Sequence, residues 1–133
     1  MQLYTKEAEE GKLSKYMVAA YKVIGGEKRV ISTSKVIYIA AAGGKAGNHK
    51  TIKLKKKQLK LKKGKTAKIA ASLIAESAKK PVKKYRGKRY ESSNTQIASV
   101  SGKGTVKGKN KGVCYIYVLA QNGIFKKVKV TVQ

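Results

Sequence analysis

Four side chains in residues 49–133 have the chemistry for catalysis: Glu76, Glu91, His49 and Cys114. Paired carboxyl groups work as acid and base when held roughly 5–10 Å apart. Glu76 opens a basic loop and Glu91 falls on a strand, so two separate, solvated carboxylates are expected. His49 lies in a Gly-rich stretch without Cys or Asp beside it. Transition-metal sites need three or four clustered ligands, so a surface imidazole is expected. Calcium takes several carboxylates, and the chain contains no Asp. Cys114 sits in an apolar run with no His nearby and reads as a buried structural thiol. It is the only cysteine, so no internal disulfide can form. The stretch GKGTVKGKNKG at 102–112 has the glycines of a phosphate-cradling loop. It lacks Gly-Lys-Ser/Thr at the required spacing and a helix to follow, so it reads as β-turns. No catalytic residue, metal ligand or cofactor-binding residue is expected.

What remains is charge. The chain of 133 residues carries 32 Lys and Arg against six acidic residues, a formal net charge of +26. Residues 1–48 hold eight basic and four acidic side chains, net +4, and residues 49–133 hold 24 and two, net +22. Of the basic residues 29 are Lys and three are Arg. Bidentate reading of phosphates and guanines favours Arg, whereas Lys is a solvated point charge. The basic residues most able to contact a polyanion gather between Ser77 and Tyr90: Lys79, Lys80, Lys83, Lys84, Arg86, Lys88 and Arg89. A second row alternates with apolar residues over 52–63 and would line one strand face. Lys on an edge strand also blocks edge-to-edge pairing, and a solvated face is the plainer account of any charge run.

The elements that would carry these residues are strands. Residues 4–15 are polar and fit either a helical turn or a loop. Tyr16–Tyr21 and Val36–Ala40 are apolar on both faces and flank Gly25-Gly26, a hairpin signal. An isolated hairpin is marginal in water, so this one is expected to pack on the rest of the chain or to pair with a second copy. The Gly-rich stretch 43–49 reads as a flexible joint. Beyond it, Ile52 and Leu54 alternate with Lys, as do Leu59 and Leu61, with a phase slip between the pairs. Such slips mark a bulge or an edge strand that changes sheets. Ala67, Ile69, Ala71, Leu73 and Ala75 have period two, although the alanines over 66–78 also admit a helix. Ser92-Ser93-Asn94 and the glycines at 102, 104, 108 and 112 mark turns. Val113–Leu119 is apolar on both faces and predicts a central strand covered on both sides. Asn122-Gly123 then joins it to a last strand, with Ile124, Val128, Val130 and Val132 inward and Lys127, Lys129 and Thr131 outward. Ile69, Leu73, Tyr90, Val100, Tyr115, Tyr117 and Val130 are the predicted interior. About seven short strands at this spacing indicate a β-sandwich.

The order of these pieces resembles the bacterial immunoglobulin-like domain of group 2. That family runs through Gly-x-Thr, an aromatic-x-Ser-Ser-Asn, Ile/Val-Ala-x-Val, a Gly turn, a further Gly and a closing Val-x-Val. Here these are Gly64-Lys65-Thr66, Tyr90-Glu91-Ser92-Ser93-Asn94, Ile97-Ala98-Ser99-Val100, Gly102 to Gly104, Gly112 and Val128-Lys129-Val130-Thr131-Val132. The resemblance covers about 80 residues, with Tyr90 where the family usually has Trp. Tyr16-Met17-Val18-Ala19-Ala20-Tyr21 is similar to the last strands of a fibronectin type III module whose first strands are missing, which implies a chain that begins inside a domain. The resemblance implies an all-β immunoglobulin-like sandwich with an N-terminal β-hairpin. It divides the chain into a partial fibronectin-like segment, 1–48, and an immunoglobulin-like domain, 49–133. It further implies a non-catalytic spacer or adhesion module of a longer extracellular or cell-surface bacterial protein. Anionic wall polymers such as teichoic acids, or extracellular glycans, are then the expected partners, and sequence-specific nucleic acid is not. No apolar run spans a membrane, and the first residues do not form a signal peptide. Two alternatives remain open: a basic nucleic-acid-binding protein, and a carbohydrate-binding module with Tyr85 or Tyr90 as an exposed platform.

Overall fold

A computed structural model describes residues 11–133, and every regular element in them is a strand. Four strands form an N-terminal ribbon: β1 (Leu13–Tyr16), β2 (Ala19–Ile24), β3 (Glu27–Thr33) and β4 (Ile37–Ala40). β2 and β3 pair antiparallel around Gly25 and Gly26, whose φ angles of 60° and 81° are those of a mirror-image hairpin turn. Counting outward from that turn, β4 meets β1, from Tyr16 opposite Ile37 to Leu13 opposite Ala40. The expected hairpin is therefore longer and interrupted. Of residues 36–40 only Ile37 meets the stretch 16–21, opposite Tyr16, because Ala19, Ala20 and Tyr21 pair with Thr33, Ser32 and Val30 nearer the glycines. Part of the stretch left open between helix and loop is strand β1, while 4–10 lies outside the described residues. At the interruption Ser34 bridges the arms, its Oγ accepting the Val18 N–H at 2.8 Å.

The remaining strands form two facing layers. In one, the order is β6 (Gln58–Leu61), β13 (Phe125–Val132), β12 (Gly112–Leu119) and β9 (Arg89–Ser92). The other holds β5 (His49–Leu54) on β8 (Ala71–Ala75), and β10 (Ala98–Val100), β11 (Thr105–Gly108) and β7 (Thr66–Lys68) in that order. The phase slip after Leu54 is the point where the chain changes sheets: β5 pairs antiparallel with β8, and β6 pairs parallel with β13. A second break at Ile69-Ala70 divides β7 from β8, so the seven or so expected strands appear as the nine segments β5 to β13. The 66–75 stretch is strand, as period two required.

The core lies between the layers. Ile116, Val118, Val128 and Val130 have no exposed surface, and Ile52, Ile69, Ala98 and Val106 face them from the second layer or its margins. Each of the Ile and Val side chains contributes about 1.5–3 kcal/mol by leaving water. Tyr90, Leu73 and Val100 pack against this cluster while part-buried. Tyr90 lies on Gly104, where a Cβ would come within 2.8 Å of the ring, so this glycine is needed for the close approach as well as for its φ of 85°. Tyr115 and Tyr117 correct the expectation. They alternate with buried Cys114, Ile116 and Val118, so they stand on the outer face of the sheet, part-exposed. Strand β12 is central in order but is covered fully on one side only. Its hairpin to β13 closes as expected at Asn122-Gly123, with Gly123 N–H donating to Ala120 O at 3.0 Å.

Candidate polyanion-contact surface

The basic loop between β8 and β9 is held by one residue that the sequence did not single out. Gln121 is 5% exposed. Its Oε1 accepts the Tyr85 N–H at 2.9 Å, and its Nε2 donates to Lys83 O at 2.8 Å. Its own carbonyl accepts the Tyr38 N–H at 2.8 Å from the ribbon. One buried residue thus ties together the loop, through its side-chain amide, and the ribbon, through its main-chain carbonyl, at the β12–β13 hairpin. Tyr38 and Tyr85 stack at 4.8 Å and 12° across the same junction. Tyr85, 44% exposed, spends a ring face on that stack, and Tyr90 is turned inward, so neither presents the free platform that a carbohydrate-binding reading requires.

This anchoring sorts the seven loop cations. Lys79, Lys80, Lys83 and Lys84 are exposed. Lys83 Nζ lies 5.6 Å over the Tyr85 ring, and the other three have structural partners. Arg86 donates from Nη2 to Val36 O and lies 5.7 Å from the Tyr38 ring centroid. Lys88 Nζ donates to Ala71 O at 2.5 Å. Arg89 forms an ion pair with Glu91 at 2.6 Å on the outer face of β9. Over 52–63, exposed Lys53 and Lys60 alternate with inward Ile52, Leu59 and Leu61, and Lys55, Lys56 and Lys57 fill the crossover between β5 and β6. The outer face of the four-stranded sheet adds Lys127 and Lys129, and Lys127 Nζ sits 4.8 Å over the Tyr115 ring.

The groups considered for catalysis are scattered. Cys114 is buried, and burial pushes its thiol above the usual range, which makes thiolate scarce. Glu91 is taken by Arg89, and Glu76 lies on the loop that follows β8. Among the described residues no three His, Cys, Asp or Glu side chains come together as a metal site would need. His49 departs from the surface imidazole expected of it. It is part-buried, burial lowers its pKa, and its Nδ1 has no partner. The expected flexible joint is likewise tied down over residues 47–49. Asn48 Oδ1 accepts the Ala40 N–H at 2.8 Å and its Nδ2 donates to Ala40 O at 2.7 Å, as a neighbouring strand would. Gly47 N–H donates to Pro81 O at 3.1 Å, and Asn122 Nδ2 donates to His49 O at 3.0 Å. A Gly-rich composition signals freedom of φ, and it carries no sign of these long-range bonds.

Residues 49–132 match the family model of the bacterial Ig-like domain (group 2), a span that begins with β5 and ends with β13 and leaves the ribbon outside it. No curated protein matches the chain.

Proposed function

The chain belongs to the bacterial Ig-like domain (group 2) family, and from that premise we propose that it serves as a spacer or adhesion module of a larger extracellular or cell-surface protein and that its basic surface contacts anionic envelope polymers. The family is one of non-catalytic structural modules of bacterial surface proteins, which supports the first half. The second half rests on one observation. A domain with a net charge of +22 over 49–133 shows a single ion pair among its described residues, Arg89–Glu91, so its exposed lysines are left for an outside counter-charge. Lysine suits such a role: a solvated point charge on a flexible stem follows a polymer of irregular geometry better than a rigid guanidinium fork. The ribbon is the module's accessory element, fastened at its base through Tyr38 and Asn48. Met17, Val18, Val30 and Ile31 are each more than half exposed along it, a packing surface for an adjoining domain or a second copy.

The test is competition at about 150 mM salt between a labelled teichoic-acid preparation, an acidic glycan and DNA duplexes of varied sequence. Preference for the envelope polymers supports the proposal. Equal, weak competition by all of them reduces the charge to a solubilising one. A preference of about a thousandfold for one duplex, the range of specific DNA binders, overturns it.

A further inference from the structure

The exposed loop cations were visible in the sequence; a concave basic site was not. It forms where strands β7 and β8 part at Ile69-Ala70. The separated backbone is bonded to its neighbours on both sides: the Lys55 N–H donates to Ala70 O at 3.0 Å, and the Ile69 N–H donates to Gly104 O at 2.9 Å. Each side opens a depression. The smaller, about 240 Å³, lies against the β5–β6 crossover, with Lys55, Lys56 and Lys68 on its walls. The larger, about 410 Å³, lies against the β10–β11 turn, with Lys68, Lys88 and Lys103 around Tyr90. Lys68, Ile69 and Ala70 line both, so the two adjoin across a shared wall.

We propose that these two depressions form one groove, centred on Lys68, that seats an acidic polysaccharide chain with successive anionic groups in the two halves. The proposal rests on the polymer-contact reading above and names the part of the surface that carries it. Five lysines from separate stretches of the chain converge here, and no acidic residue lines either half. Lys55, Lys56, Lys68 and Lys103 are exposed and make no ion pair, while Lys88 keeps N–H donors beyond the one given to Ala71. A cleft lined by one sign of charge concentrates its field in a way that a convex loop cannot, which separates this groove from Lys79–Lys84. Its chemistry also selects the partner. Single-stranded nucleic acid is held by stacking bases on exposed aromatic rings. The only ring here is Tyr90, packed against Gly104 and the core. A polymer bound through charge alone fits better. Phosphate and carboxylate groups present the same oxyanion to these lysines.

The experiment uses the full chain. Lys68→Gln/Lys103→Gln removes two groove charges, and Lys79→Gln/Lys84→Gln removes two from the loop, so both variants lose the same net charge at exposed positions. Affinities for a phosphodiester-linked polysaccharide, a polyuronate and a single-stranded DNA are read at about 150 mM salt, with amide chemical shifts followed in each titration. The groove variant should lose about tenfold or more toward the polysaccharides and the loop variant much less, because contacts that release counterions count while distant charges are screened. Shifts should gather at 55–56, 68–70 and 102–104, and the stronger of the two polysaccharides identifies phosphate or carboxylate as the group recognised. Equal losses in both variants, or shifts confined to 79–84, overturn the groove and leave the polymer-contact reading standing. Failure of the parent chain to bind either polysaccharide overturns both. Tighter binding of the DNA overturns the polysaccharide as occupant.

Discussion

At the scale of single residues, the junction depends on Gln121. Replacing it with Leu keeps the volume and strands the Tyr85 N–H and the Lys83 carbonyl. The expected cost is about 2 kcal/mol, a fall of roughly 5–10 °C in Tm, which a thermal melt measures; an unchanged Tm would remove Gln121 from the role assigned to it. Gly104 is a second dependence. Alanine there meets both a φ of 85° and the Tyr90 ring at 2.8 Å, so Gly104→Ala should cost about 2–4 kcal/mol. Trimming the ring with Tyr90→Leu should recover part of that loss, visible as non-additivity in a double-mutant cycle. His49 sets a pH dependence. Burial lowers its folded pKa below the ordinary 6.5, so the unfolded chain takes up the proton first. The stability His49 contributes is complete above that value and is lost as pH falls through the lowered one. Melts from pH 7.5 to 5 should show a decline that His49→Gln flattens.

At the scale of elements, the sandwich and the ribbon are built differently. Every residue of the buried core falls between Ile52 and Val132. A chain shortened to 49–133 should therefore still melt cooperatively and give a dispersed NMR spectrum, at a lower Tm because Tyr85, Arg86 and Gln121 lose their ribbon partners. A collapsed spectrum would show that the ribbon belongs to the folding unit. Asn48→Ala is the milder probe. It removes both bonds to Ala40 and should raise amide exchange in β4 before it affects β12 or β13. The sheet change between β5 and β6 was legible because a one-residue slip in a period of two moves every following side chain to the other face. The pairing of β4 with β1 was not, because β1 is short and half polar, and the bulge at Ala20/Tyr21 and the interruption beyond it shift its register from a simple count about Gly25-Gly26.

At the scale of the whole molecule, 32 cations face six acids, and the folded state gathers that charge into a smaller volume than the unfolded one. Self-repulsion should lower stability at low ionic strength and relax as screening sets in. Tm should rise between about 10 mM and 150 mM salt, where the Debye length falls from roughly 30 Å to 8 Å. A Tm that does not move with salt would mean that the lysines are too far apart to interact.

The period-two alternation, the glycine turns and Asn122-Gly123 determined the strands, their order along the chain and the sandwich, because each acts over a few residues and is written in them. The seven loop cations were legible as charge for the same reason. Which of them are already spent on Val36, Ala71 and Glu91 was decided by tertiary structure, as was the placing of Tyr115 and Tyr117 on an outer face. Alternation assigns side chains to two faces, and only the arrival of a second layer decides which face is covered. The lysines around Ile69-Ala70 stand up to 48 positions apart in sequence, from Lys55 to Lys103. Folding alone brings them to one groove, since their convergence depends on where four stretches of backbone meet rather than on any local pattern.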